Sequence, residues 1–394
     1  MIRVGENYYA PAKNFTDFLA ELCKLSTDFV LSIPCTDQPA NTVDLSRLVR
    51  MDLPKGQILE LPYYQGHFQA PLVSLISAWR LSKHIRSAGK QSDRVILAGP
   101  GPNSFLFWCS WLVPQRTQFA YFIRGDTIRT LQEIYRHHPA YLLVMALVHM
   151  FRWRILRLLH AQRAQVFTYG AALQNQYPCD DSKRHVVAPL IDDYWIRTDA
   201  PVPHTGKAIF RVLYVGRLSR EKNIINLIEA CALARNTPAE FQLTVVGDGP
   251  IRQEIEARIT ELRMSELVKL TGLIPNGSTL MAQYDAHDLL CLPSHTEATP
   301  RVVVEAVARG LPVLSTNVGS IESMFPGLIR FTTGFSATEL KDGISACKTD
   351  HVKLRQDFQQ SAHLAEKYTL AAQARFVLQT LVPPQDLAST LEIS

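Results

Sequence analysis

From about residue 208 onward, short apolar runs alternate with stretches whose apolar positions recur every three or four residues. The runs fall at 209–215, 242–247, 268–271, 288–292, 312–315 and 328–331. Strands that alternate with amphipathic helices in this way predict a parallel, doubly wound α/β sheet. The earlier part of the chain carries similar runs at 28–33, 57–61, 94–98, 118–123 and 165–168, with helical patterns between them. They predict a second α/β sheet. Between the two lies Thr198–Lys207, TDAPVPHTGK, Pro-rich and polar, which reads as a linker. The helical pattern from His351 to Leu381 is too long for one element and predicts a break. Repeats and low-complexity tracts are absent.

At 394 residues the chain has material for two cores. Its hydrophobic content of 47% and charged content of 20% are those of an ordinary folded protein. No stretch reaches the length of an uncharged apolar membrane span. The start, MIRVGENYYAPAKNF, lacks the basic-then-apolar pattern of an export signal. The 7 Cys are scattered without a Cys-x2-Cys pair, which argues against a zinc site or a disulfide framework and for a reducing cytoplasm.

The net charge of +5 is modest, but it is unevenly spread. Between Arg116 and Arg163 every basic residue other than His is Arg, and the acids are Asp126 and Glu133 alone. The apolar run 140–151 lies within this region, followed by Arg152, Trp153, Arg154 and Arg157. Apolar residues, Trp and Arg together suit a peripheral helix on the inner face of an anionic membrane. A core helix with a basic end is the plainer alternative, because the arginines form no single stripe at helical spacing. No nucleic-acid recognition motif accompanies the charge, which excludes nucleic acid as the expected partner.

The densest chemistry lies in Ser294–Gly319, SHTEATPRVVVEAVARGLPVLSTNVG. Thr299-Pro300 reads as a helix start, with Thr as N-cap and Pro at the first helical position. Gly310 stands where a C-cap glycine belongs. The start of such a helix presents free N–H groups, here those of Ala298, Thr299 and Val302, to an anion such as a phosphate. Glu305 falls about five residues into the helix, roughly 7–8 Å along it, within reach of a ribose attached to that phosphate. Glu297, on the loop before the helix, faces hydroxyls on the other side. A phosphate clamp flanked by two hydroxyl-accepting carboxylates suits a nucleotide-diphosphate sugar.

This Glu-x7-Glu stretch, with the Gly-Leu-Pro-Val strand after it, resembles the donor half of retaining GT-B glycosyltransferases. The group it resembles is family four, the glycosyl transferases group 1, allied to sucrose and glycogen synthases. Three further pieces match in order: Leu213-Tyr-Val-Gly216-Arg217-Leu-Ser-Arg-Glu-Lys222-Asn223, Val245-Val-Gly-Asp-Gly-Pro250 and Leu270-Thr-Gly-Leu273-Ile274. The match covers about 208–330 well and the N-terminal half weakly. The resemblance implies two Rossmann-like domains facing a central cleft. It places an acceptor-side domain at 1–197, a donor domain at 208–361, and a last helix within 362–394 that crosses back to the first domain. It further implies that Gly216, Arg217 and Lys222 clamp the donor diphosphate, that Leu273 lies by the base, and that Glu297 positions the transferred sugar.

Several residues depart from that pattern. Ala298 stands where the family usually has Gly. The family's early Gly-Gly loop is missing, with Tyr8-Tyr-Ala-Pro11 in its approximate place. A His near the donor sugar is missing too, and Arg124 or Asp126 takes its position. Gly101, after the strand at 94–98, is assigned to the cleft wall. Gly247-Asp-Gly249 mimics a dinucleotide fingerprint, but Arg252 stands where its third glycine belongs, which argues against a nicotinamide cofactor. The sequence contains no Asp-x-Asp, so no catalytic metal is expected and cations take the leaving diphosphate.

The expectation is therefore a cytoplasmic hexosyltransferase, needing no cofactor. It moves a sugar from a nucleotide sugar to a glycan or lipid-linked glycan in polysaccharide or glycolipid synthesis. A sugar-nucleotide epimerase or phosphorylase of the same fold, and a non-catalytic partner subunit, are the alternatives.

Overall fold

A computed structural model describes residues 209–297 and 299–381 and, before them, 2–4, 7–11, 14–25, 31–37, 48–51, 58–62, 94–99, 118–123, 136, 139, 141–161, 164–169, 181–188 and 190–197. The chain forms two compact units, Met1–Pro189 with Leu370–Ser394, and Leu190–Thr369.

In the first unit, β1 (Ile2–Val4), β2 (Asn7–Pro11), β3 (Leu31–Asp37), β4 (Leu48–Met51) and β5 (Ile58–Pro62) form a 5-stranded sheet in the order β4-β2-β1-β3-β5. The pairs β1–β3 and β3–β5 are parallel, whereas β2 runs antiparallel to both β1 and β4. A second sheet, of 4 strands, is parallel throughout: β6 (Arg94–Gly99), β7 (Gln118–Ile123), β8 (Ala164–Tyr169) and β9 (Arg184–Val187), in chain order. Strands β3 and β5 to β8 correspond to the predicted runs. Strands β1, β2, β4 and β9 were not foreseen. Tyr8-Tyr-Ala-Pro11, in the approximate place of the family's Gly-Gly loop, belongs to strand β2, whose polar Asn7 and terminal Pro11 give no apolar signal. Two helices of this unit are α1 (Asn14–Leu25) and α2 (Tyr141–His160).

The second unit is a single 6-stranded parallel sheet of order β12-β11-β10-β13-β14-β15. Its strands are β10 (Phe210–Val215), β11 (Phe241–Val246), β12 (Val268–Gly272), β13 (Leu289–Leu292), β14 (Val313–Ser315) and β15 (Arg330–Phe331). Each lies within two residues of a predicted run; the central strands β13 and β14, buried along their whole length, read as near-continuous apolar segments. The intervening helices are α3 (Ile224–Ala234), α4 (Arg252–Glu261), α5 (Ser278–Ala286), α6 (Arg301–Ala308), α7 (Ile321–Met324), α8 (Ala337–Thr349) and α9 (His351–Gln360).

The strand order reverses at β10. From there the chain proceeds outward through β11 and β12, then returns to pair β13 on the other side of β10. In a doubly wound sheet the crevice outside the carboxyl ends of such neighbours is where ligands bind.

The long C-terminal pattern breaks as expected. Ala362–Tyr368 is a 3₁₀ segment, and the final helix α10 begins at Leu370 and runs to Leu381. Backbone bonds explain the break: the Tyr368 carbonyl accepts from the N–H groups of Leu190 and Ile191, and Ile191 bridges Thr369. Leu370, Ala374, Val377 and Leu381 then fall on one face of α10, which packs in the first unit with Phe18, Leu22, Phe122, Phe167 and Val187. The second unit begins at Leu190, earlier than the Pro-rich stretch suggests. Trp195 is fully buried there, Arg197 N–H donates to Ala308 O, and the Arg309 guanidinium reaches Trp195 O. The stretch 198–207 itself lies outside the described residues.

Candidate active site

The loops after β10 and β13 meet at the reversal point. The Lys222 ammonium lies 2.7 Å from Glu297 Oε1, and Ser294 Oγ donates to the same oxygen at 2.7 Å. Both members of the pair are largely buried, the Lys222 side chain being 21% and the Glu297 side chain 10% exposed. The loops are also tied through their backbones, His295 N–H donating to Glu221 O at 2.8 Å. Thr316, after β14, donates from its hydroxyl to Ser294 O at 2.5 Å, adding a third parallel strand end.

The β10 loop is rigidly held. The Tyr214 hydroxyl donates to Arg217 O, and burial first, then the Glu297 charge, push its pKa up, so it stays a donor. Gly216 N–H donates to Val246 O, and Leu218 N–H to Asp248 O. Gly247, at φ +142, presses on this loop so closely that a Cβ would collide with the Gly216 carbonyl. Its role is therefore a tight turn supporting the first loop. Arg217 is exposed. Glu221 has its pKa lowered by the hydrogen bond from Ser219, its own backbone bond, and the charges of Lys222 and Arg217.

Helix α6 begins one residue later than the sequence suggests. Pro300, with φ −73 and ψ 110, occupies the N-cap position, and no side chain caps the helix. Thr299, expected as the cap, keeps its Oγ1 buried without a hydrogen-bond partner. Val302 is half-buried in the first turn. At the other end the expected C-cap holds: Gly310 adopts φ +65, its N–H donates to Val307 O, and Leu311 N–H donates to Ala306 O, a Schellman motif.

Glu305 is only 2% exposed. Its Oε2 accepts from the Tyr284 hydroxyl at 2.5 Å, and its Oε1 from Arg301 Nε at 2.5 Å. Its burial was expected; its partners were not, because Tyr284 comes from a different helix, α5. Leu273 follows β12 and is 75% exposed, a large apolar side chain open to a ligand. Ala298, Gly101, Arg124 and Asp126 lie outside the described residues. Among the described residues no group of three or more His, Cys, Asp and Glu stands where it could hold a metal ion.

The architecture is that of GT-B glycosyltransferases. A glycosyltransferase from Rickettsia africae aligns over 100% of this chain and 98% of its own at a TM-score of 0.64 and 16% identity. HepE from Anabaena, solved with UDP and glucose, aligns over 96% of this chain and 98% of its own at a TM-score of 0.60 and 17% identity. Residues 203–373 match the family model described as glycosyl transferases group 1. The matched segment covers most of the second unit and includes the Lys222–Glu297 pair. Among curated relatives, TuaC of Bacillus subtilis, described as a putative teichuronic acid biosynthesis glycosyltransferase, is 40% identical over 113 residues. That segment is 29% of this chain and 26% of TuaC, so the chain spans about a quarter of that relative's length. The alpha-D-kanosaminyltransferase of Streptomyces kanamyceticus is 28% identical over 167 residues, 41% of this chain and 42% of that protein.

Proposed function

We propose that this protein is a retaining glycosyltransferase that moves a hexosyl group from a nucleotide-diphosphate sugar to a hydroxyl of a glycan or lipid-linked glycan. The observation that carries this reading is the Lys222–Glu297 pair at the reversal point of the sheet. A buried cation beside a carboxylate can hold an anionic diphosphate on one side and sugar hydroxyls on the other. In the reaction the anomeric C–O bond to the diphosphate breaks through an oxocarbenium-like state. The acceptor oxygen bonds to that carbon on the same face, and its proton passes to the leaving phosphate. Arg217, Lys222 and the N–H groups of Ala298, Thr299 and Val302 stabilise the departing charge, and Gly216 forms the turn that presents Arg217. Glu297 positions the sugar, Glu305 takes the ribose, and Leu273 lies against the base. No metal is required, because these cations and the helix start do that work.

The test is a panel of UDP-, GDP- and ADP-sugars, scored for nucleotide release with and without lipid extract and with and without EDTA. Acceptor-dependent release that survives EDTA, with retained anomeric configuration by NMR, is expected. Donor isomerisation without transfer, or release only with inorganic phosphate, indicates an epimerase or a phosphorylase. No turnover of any donor indicates a non-catalytic subunit. We place the reaction in polysaccharide synthesis on the cytoplasmic side; TuaC, described as a putative teichuronic acid biosynthesis glycosyltransferase, is in keeping with a biosynthetic role.

A lipid-linked acceptor gains support from α2. Among the described residues no helix is long and apolar enough to cross a membrane. Yet Leu142, Leu143 and Trp153 are exposed on α2 at 79%, 63% and 53%, and Arg157 lies 4.9 Å over the Trp153 ring. The sequence suggested no clean stripe of arginines; the exposed stripe instead mixes apolar side chains with Arg157. Such a surface suits peripheral, salt-sensitive contact with anionic lipid. Co-sedimentation with anionic vesicles at low salt, reduced by Trp153→Ser or Arg157→Gln, is expected. A wild type that stays in the supernatant makes a soluble acceptor the better reading.

A further inference from the structure

Both carboxylate oxygens of Glu305 are engaged, by Tyr284 and by Arg301, in a residue only 2% exposed. Each oxygen could accept a further bond, but at 2% exposure a ribose hydroxyl reaches this carboxylate only when a group covering it moves aside. The two partners are not equivalent. Tyr284 is fully buried and packs edge-on against Trp195, itself fully buried, with ring centroids 5.6 Å apart. It has no space to leave, and burial followed by the Glu305 charge keeps its phenol protonated and donating. Arg301 is different. Its side chain is 25% exposed, at the first residue of α6. A cation there opposes the helix dipole, and the ion pair with Glu305, four residues on, offsets that cost. Withdrawal of Arg301 toward solvent leaves the core closed; withdrawal of Tyr284 needs the core to open.

We propose that Arg301 is a displaceable cover on Glu305, leaving Oε1 when a nucleotide ribose takes its place, while Tyr284 remains the fixed positioning residue of the carboxylate. This rests on the reading of Glu305 as the ribose-facing group. Arg301 then acts on donor selection: every ligand that uses Glu305 must first displace it, and ligands lacking ribose hydroxyls need not.

The experiment titrates the full chain with UDP, GDP and ADP, each beside its 2′,3′-dideoxy counterpart. In the wild type the ribose form should bind more tightly, and Glu305→Gln should reduce that preference. Arg301→Gln should enlarge the preference by roughly fivefold or more, because the ribose no longer competes with a charged hydrogen bond. If Arg301→Gln weakens both forms equally and leaves their ratio unchanged, Arg301 is structural support and the proposal is overturned. If the two forms bind the wild type equally and Glu305→Gln changes neither, the reading of Glu305 fails, and the cover with it. A second measurement leaves the site intact. The Arg301 Nε–H resonance, assigned by its loss in Arg301→Lys, should be protected from exchange in the free chain and lose protection with UDP but not with dideoxy-UDP. Persistent protection with UDP bound overturns the proposal without relying on a variant that folds.

Discussion

Lys222 Nζ and Glu297 Oε1, 75 residues apart in sequence, lie 2.7 Å apart in the folded chain. They meet because β10 and β13 are parallel neighbours, so the loops that follow them emerge at the same sheet edge. Ser294 holds the other flank of the carboxylate oxygen. A ligand phosphate entering here meets an ammonium already fixed in place.

The first prediction follows from that pair. Lys222→Ala should lower kcat/KM by about 10²-fold or more, the scale of removing one charge-stabilising donor. Arg217→Ala, which removes an exposed cation from the same loop, should act in the same direction. Steady-state kinetics on variants with wild-type melting curves provide the check; near-normal turnover in both variants removes the phosphate-clamp assignment.

The two carboxylates should separate by ligand. Glu305→Gln should weaken binding of free nucleoside diphosphate, because its charge serves the ribose. Glu297→Gln should leave that binding intact and reduce turnover, because its oxygens serve the transferred sugar. Calorimetry with nucleoside diphosphate alone distinguishes them, and equal losses in both variants contradict the division of roles.

Tyr284→Phe should be felt in stability. The change removes the hydroxyl bonded to Glu305 Oε2 and leaves a buried carboxylate oxygen unpaired. A cost of about 1–3 kcal/mol is expected, or a melting shift of about 2–4 °C per kcal/mol for a unit of this size. Differential scanning calorimetry reads it directly; an unchanged transition means that water or Arg301 replaces the lost bond.

The first unit should weaken on mild acidification. His185 contacts Phe167 and Phe376 and hydrogen-bonds Gln165, and burial, then the Lys183 charge, lowers its pKa. The unfolded chain therefore binds this proton more readily than the folded one. The His185 contribution is full above the unfolded value of about 6.5 and is lost as pH falls below it. Replacement by Asn should flatten the pH dependence of unfolding between about pH 7.5 and 5.5. An equal acid-induced loss in wild type and variant rules out His185 as its source.

The second unit was largely legible in the sequence, since its central strands are mainly apolar runs and the loops between carry Gly, Pro and charge. The first unit was less so. Strands β1, β2 and β4 are short or polar, and β2 is joined to antiparallel neighbours on both sides, so no run of apolar residues marks them. At the site, sequence spacing nominated Glu297 and Glu305 and the family resemblance nominated Lys222, but neither gave their partners. The Lys222–Glu297 contact follows from strand order, which spacing does not encode. The Tyr284–Glu305 bond joins two helices across the core, with nothing in the pattern around Tyr284 to announce it. Thr299 was misread as a cap because a Thr-Pro pair favours a helix start by propensity. In the folded chain the extended Pro300 takes that position, its carbonyl accepting from Val303 N–H at 3.2 Å.

A nucleotide-diphosphate donor is proposed to sit where the β10 and β13 loops meet. Hydrogen–deuterium exchange of the full chain, with and without UDP, GDP and ADP, tests it most directly. At least one nucleotide should protect the peptides covering 216–223, 270–274 and 294–305 while the rest of the sheet stays unchanged. Protection confined to other segments, or none with any of the three nucleotides at saturating concentration, contradicts the account.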